Sequence, residues 1–192
     1  MRPLLLALGV SLLGTAAAHA TEYPTSRCSF TAFVAAPDPE GINLRSGPGF
    51  SHGIVGRLPP KGHHVDDSSL PAMVEVEVLD AKDGWFQIRN AKDNVELTGR
   101  PARKLHKGYG WISGNKLTVH SQASVARSQP QARARAIAKE DGDAPLLDIQ
   151  GGHGLVDCKG GWAKVEFGPE KARKTGWVDK LCPLQETTCS GF

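Results

Sequence analysis

Val74-Glu75-Val76-Glu77-Val78 alternates apolar and polar residues with period two, the signature of a strand half buried against a core. Asp80 to Gly84 reads as a turn and Trp85 to Ile88 as the next strand of a hairpin. The same succession returns further on. There Leu146-Leu147-Asp148-Ile149 is predicted as the first strand, the Gly-rich stretch after it as a turn, and Trp162 to Val165 as the second strand. Nothing beyond residue 20 sustains a 3.6-residue period, and the Ala/Arg stretch 132–139 is predicted as strand rather than helix. Short strands separated by Gly and Pro turns predict an all-β fold of small barrels.

The chain repeats itself. Each of the four Trp follows a Gly, at Gly84-Trp85, Gly110-Trp111, Gly161-Trp162 and Gly176-Trp177. With 22 Gly in 192 residues, composition alone would produce this about two times in ten thousand. Upstream, Arg45-Ser46-Gly47-Pro48 is echoed by Arg127-Ser128-Gln129-Pro130, and Ile54-Val55 falls where Ala136-Ile137 falls, at the same offset. Order and spacing agree, which predicts two copies of one module, at 30–118 and 119–184.

The first twenty residues change the picture of where those modules work. Met1-Arg2 precedes an apolar run from Leu4 to Leu13, and Ala18-His19-Ala20 supplies small residues at an A-x-A cleavage position. That is a secretory leader, 1–20, too short in its apolar run to span a bilayer. It predicts an exported, periplasmic protein with no transmembrane segment after cleavage, an N-terminal segment 21–29 and a tail 185–192 that carries Cys189. The formal net charge of +3 is too small for a nucleic-acid binder, so none is expected as partner.

Export makes disulfides the expected state of Cys28, Cys158, Cys182 and Cys189. Four Cys allow three connectivities. The one we favour pairs Cys158 with Cys182 and Cys28 with Cys189; its rival pairs Cys28 with Cys158 and closes a local Cys182–Cys189 loop. A zinc site is disfavoured because no C-x-x-C pair exists.

Gly41-Ile42-Asn43-Leu44-Arg45-Ser46-Gly47-Pro48-Gly49, followed by Ile54 to Leu58, resembles the opening of the bacterial SH3 domain (SH3b) family. In that family a Gly-Trp strand and a closing Gly-Trp-Val/Ile follow, as they do here. The second copy is degenerate at its start, with Ala126 where a larger apolar residue is expected. The resemblance implies two tandem small SH3-like β-barrels of five or six strands. It also implies a binding role, most often towards peptidoglycan or peptides.

Catalysis needs a nucleophile or base held by a partner. The Cys are expected to be oxidised, and His52, His63, His64, His106, His120 and His153 fall in predicted loops or strand edges with no recurring acid or Ser partner. His63-His64-Val65-Asp66-Asp67 is the one cluster with metal-ligand chemistry, and adjacent ligands rarely face the same way. No enzyme, cofactor or metal is therefore expected. Gly-Trp at a strand start is read as placing the indole in the core or against a partner sheet, the alternative being a Trp in a surface groove. Phe50 and Tyr109, which fit no inward position, are the better groove candidates, with Arg45 either bracing its own loop or meeting a ligand. Basic clusters recur before each closing Gly-Trp: Arg103, Lys104 and Lys107 in the first copy, Arg173 and Lys174 in the second. They suit a peptidoglycan or other acidic envelope ligand. The competing expectation is a protein–protein module, such as a periplasmic inhibitor or immunity protein against a cell-wall-degrading toxin, or an assembly adaptor.

Overall fold

A computed structural model describes residues 27–35, 37–60, 62–63, 71–99, 101, 104–142, 144–150, 152–183 and 185. The leader, residues 21–26, Arg103 and Cys189 lie outside the described residues.

The protein is all-β, with two antiparallel sheets that carry the repeat. In the first half run β1 (Phe30–Val34), β2 (Ile42–Arg45), β3 (Ile54–Leu58), the short pair β4 (Gly62–His63) and β5 (Pro71–Ala72), β6 (Val74–Lys82), β7 (Trp85–Lys92), a capped turn of helix α1 (Val95–Thr98), β8 (Gly110–Ser113) and β9 (Leu117–Thr118). In the second come β10 (Val125–Arg127), β11 (Ala136–Lys139), helix α2 (Leu146–Gln150), β12 (Gly152–Lys159), β13 (Trp162–Phe167) and β14 (Lys174–Val178). The larger sheet has the order β3-β2-β8-β7-β6-β1-β9 and the smaller the order β11-β10-β14-β13-β12. Strip β1 and β9 from the first and the two orders are the same.

The registers agree residue by residue. Arg45 pairs with Trp111, Trp111 with Gln87 and Gln87 with Asp80. Arg127 pairs with Trp177, Trp177 with Lys164 and Lys164 with Asp157. Both β2 and β10 bulge immediately before their Arg. The repeat read from the Gly-Trp pairs is thus a repeat of topology and register.

The two kinds of Gly-Trp arise from different physics. Gly84 has φ +75° and, with Asp83 at φ 52°, forms the left-handed two-residue turn that the twist of a hairpin favours. Gly110 and Gly176 are instead needed for close approach. A Cβ on Gly110 would lie 3.0 Å from Leu44 Cβ, and one on Gly176 would lie 2.9 Å from Ala126 Cβ. The degenerate Ala126 is explained here too: the Phe167 ring packs against Gly176, and Ala126 and Phe167 are both fully buried.

Two expectations are corrected in the second half. Leu146 to Ile149 is helix α2, not a strand, and its Leu146 and Leu147 are buried. The counterpart of β6 is β12, in the stretch read as a Gly-rich turn. Gly154 makes that strand possible, because a Cβ there would press on the backbone of Gly114 and Asn115 at 3.1 Å. Gly114 is equally constrained by the carbonyl of Leu155. The 3₁₀ turn Gly114–Lys116 and β12 therefore meet backbone to backbone.

One continuous core joins both sheets, including Val76, Phe86, Ile88 and Ile112 from the first with Leu155, Val165, Phe167 and Val178 from the second. The N-terminal segment fastens them. Cys28 and Cys158 form a disulfide with Cα atoms 5.7 Å apart. The favoured pairing of Cys158 with Cys182 and Cys28 with Cys189 is thereby overturned and the Cys28–Cys158 bridge of its rival is found; Cys182 is itself disulfide-bonded, and Cys189 lies outside the described residues. The physical reason is placement: Cys28 bridges to Gly160 at the tip of the β12–β13 hairpin, whose strand holds Cys158. Arg27 adds ion pairs to Asp80 (3.3 Å) and Asp157 (3.2 Å), the equivalent aspartates of the two registers.

Candidate functional site

A groove with aromatic walls lies on the outer face of the first sheet, and local sequence explains how its rings come to face water. In β7, Phe86 and Ile88 are fully buried, so strand alternation sends Trp85 and Gln87 to the opposite face. Trp111 alternates likewise with buried Gly110 and Ile112. Trp85, Trp111 and Trp162 are half-buried on outer faces rather than in the core, correcting the expectation for these three; Trp177 is buried.

Phe50 comes from the loop between β2 and β3. Ser46 N–H donates to the Gly53 carbonyl at 2.9 Å, closing the loop at its base. Arg45 Nη1 donates to the carbonyls of Phe50 at 3.0 Å and His52 at 2.7 Å. The His52 ring fills the space where a Cβ on Gly47 would sit. The loop is braced from within while the Phe50 ring is 78% exposed. That ring meets Trp85 edge to face, centroids 5.0 Å apart, and the Arg45 guanidinium carbon stands 5.4 Å from its centroid. Both contacts are within the range of favourable aromatic and cation–π geometry.

Beside these rings is a cavity of about 360 Å³. Ile42 and Asn43 of β2, Ser113 of β8, Asn115 and Lys116 of the following turn, and Asp38 line it. Asn43 also accepts a hydrogen bond from Arg57 Nε at 3.0 Å, which fixes its amide. The arrangement offers flat apolar rings, two amides and both signs of charge, chemistry suited to binding a sugar face or an extended peptide.

Arg45 and Phe50 are thus together, and Arg45 is a brace that also sits against the ring. Tyr109 is not part of this groove. It is 41% exposed, its carbonyl is 3.4 Å from His106 Nε2, and its side chain interacts with Arg89. Lys104 is brought next to Lys92 by a short bridge, and Lys107 is exposed. Arg173 is ion-paired with Glu166 at 3.0 Å, so its charge is largely answered within its own module, and Lys174 is exposed at the start of β14. Trp85 is the groove residue that the sequence reading placed elsewhere. The signal that finds it is its phase against Phe86 and Ile88.

The second copy keeps the frame and lacks the ring. Arg127 Nη1 donates to the Ala134 carbonyl at 3.0 Å and Ser128 N–H to the Arg135 carbonyl at 2.9 Å, the same bonds at the same offset. Ala132 stands where Phe50 would be.

Electrostatics elsewhere are local. Bonds from Asn90 and Arg89 hold the Glu77 carboxyl below its ordinary range. Burial lowers the His120 pKa, against the opposing pull of Asp148; its ring packs edge to face on Phe33. The cluster around His63 and His64 falls almost entirely outside the described residues, and among the described residues no group of three His, Cys, Asp or Glu could hold a metal ion. No helix among them is long and apolar enough to cross a membrane. Compared with protein-family models, curated proteins and solved structures, the chain matches none.

Proposed function

We propose that this is an exported, periplasmic, non-enzymatic protein of two tandem SH3b-like barrels whose first module binds peptidoglycan or another acidic polymer of the cell envelope. The repeated strand order and register support the tandem reading. The observation that carries the binding role is Phe50: a large aromatic ring held out in water by a loop braced through its own backbone, set edge to face against Trp85 beside an open groove. Exposing such a ring forgoes burial worth about 2 kcal/mol, and a ligand's sugar or peptide face would recover it. Arg45 at the ring and Lys116 on the groove wall favour a ligand carrying carboxylates or phosphates.

Co-sedimentation with purified sacculi over a salt series tests this. Saturable binding is expected, weakening with salt and falling at least tenfold in Phe50→Ala. No sedimentation at low salt rejects the peptidoglycan ligand. A second reading, a defined periplasmic protein partner, is favoured by Ile54 and Val55: both are exposed on β3, the edge strand of the larger sheet, next to Phe50. Nanomolar capture of one protein with no affinity for sacculi is its expected signature.

A further inference from the structure

We propose that the cavity where the two repeats meet is a second binding site, one that takes a short extended peptide carrying a bulky apolar side chain. It is separate from the aromatic groove and does not depend on that groove's function. Its origin is a mismatch of strand lengths. β1 pairs with β6 along all five residues, whereas β9 covers β1 only at Phe33 and Val34. Beyond β9 the chain pairs Ser121 with Leu181 instead. Among the described residues, Phe30 to Ala32 have no strand partner on that side, and a cavity of about 450 Å³ opens beside them, reaching across β6 to Arg89 of β7.

Its walls come from both halves of the protein. Phe30 and Thr31 of β1, Glu77 and Leu79 of β6, and Leu181 and Pro183 from the segment after β14 line it. The volume lies within the range of ligand pockets, about 300–1,000 Å³. Four apolar side chains make room for one bulky apolar group. The Thr31 hydroxyl, the Glu77–Arg89 pair at 2.7 Å and the uncovered stretch of β1 suit a peptide main chain. A hydrocarbon chain would offer no hydrogen bond to the Thr31 hydroxyl or to the open edge of β1, whereas an added strand supplies them.

The walls are also held at a fixed separation. Cys28, whose disulfide crosses to β12, is part of the lining. Ser29 N–H donates to the Gly160 carbonyl at 2.9 Å, and Gly160 N–H donates to the Arg27 carbonyl at 2.6 Å. Gly161 completes the rim. Its equivalent in the first copy, Gly84, needs a left-handed φ of +75°; Gly161 does not adopt that region, and a Cβ added to it meets nothing within 4 Å. A side chain at 161 fits the backbone and projects into open space at the rim.

The test is a titration of the ¹⁵N-labelled protein, disulfides formed, with the capped dipeptide N-acetyl-Leu-Thr-N-methylamide, following amide shifts. Saturable shifts are expected at Thr31, Leu79, Gly161 and Leu181. Gly161→Trp, and the smaller Gly161→Leu as a second variant, should weaken binding at least tenfold and threefold respectively, with thermal midpoints unchanged. Phe50→Ala should bind as the parent does, and capped diglycine should not bind. Shifts centred on Phe50 and Trp85, no saturable shift, or undiminished binding by a folded Gly161 variant would each overturn the site. Equal binding of diglycine would overturn the apolar specificity.

Discussion

Replacing both Cys28 and Cys158 by Ala removes the crosslink between the repeats and gives a sharp test of how the molecule is held together. The two residues are 130 positions apart. In the chain-entropy account, closing a loop of that length restricts the unfolded state by about 5 kcal/mol; measured disulfides usually deliver less, so about 3–5 kcal/mol is expected. Ala is the right replacement because both sites are at most 1% exposed, and a Ser hydroxyl there would need a buried partner. The neighbouring bonds of Arg27, Ser29 and Gly160 remain, so the native arrangement should persist in the variant. With a urea slope of about 2 kcal/mol/M, the midpoint should fall by about 2 M. Urea unfolding followed by Trp fluorescence and by circular dichroism measures it. Both proteins should show one coincident transition, because a single core runs through both sheets. A midpoint shift below about 0.5 M, or two separate transitions in the parent, would refute the reasoning.

Three further outcomes follow from single contacts. Gly110→Ala and Gly176→Ala should each cost about 1–3 kcal/mol by forcing a Cβ onto a packed strand, and Ala126→Gly should recover part of the Gly176→Ala loss in a double-variant unfolding series. Burial lowers the His120 pKa below its value in the unfolded chain. The unfolded state therefore binds the proton more readily, so the contribution of His120 is whole above about pH 6.5 and is lost as pH falls below it. His120→Phe should flatten that part of the pH–stability profile, and an unchanged profile would contradict it. Arg45→Ala should cost about 1 kcal/mol, since its carbonyl bonds are exposed, and should loosen Phe50 from Trp85, read as a change in Trp fluorescence or in amide exchange of residues 46–53.

The sequence alone determined the fold class and its duplication. Alternation at Val74 to Val78 and at Trp85 to Ile88 encodes strands because period two is a local property of the backbone, and the repeated Gly-Trp and Arg-Ser frames encode matching registers because turn geometry is local too. The brace made by Arg45 and the outward position of Phe50 were legible for the same reason. Tertiary structure decided what depends on distant neighbours. Gly152 to Lys159 forms a strand because Gly154 can pass the backbone of Gly114 and Asn115, a contact that no window of sequence contains. Leu146 and Leu147 are apolar in either a strand or a helix, and burial against the shared core selected the helix. Cys28 met Cys158 because the N-terminal segment lies on the β12–β13 hairpin, and spacing along the chain carries no record of that meeting. The Trp85 side chain faced outward because Phe86 and Ile88 took the inward phase. The choice of which face is the core is made only when the sheets pack.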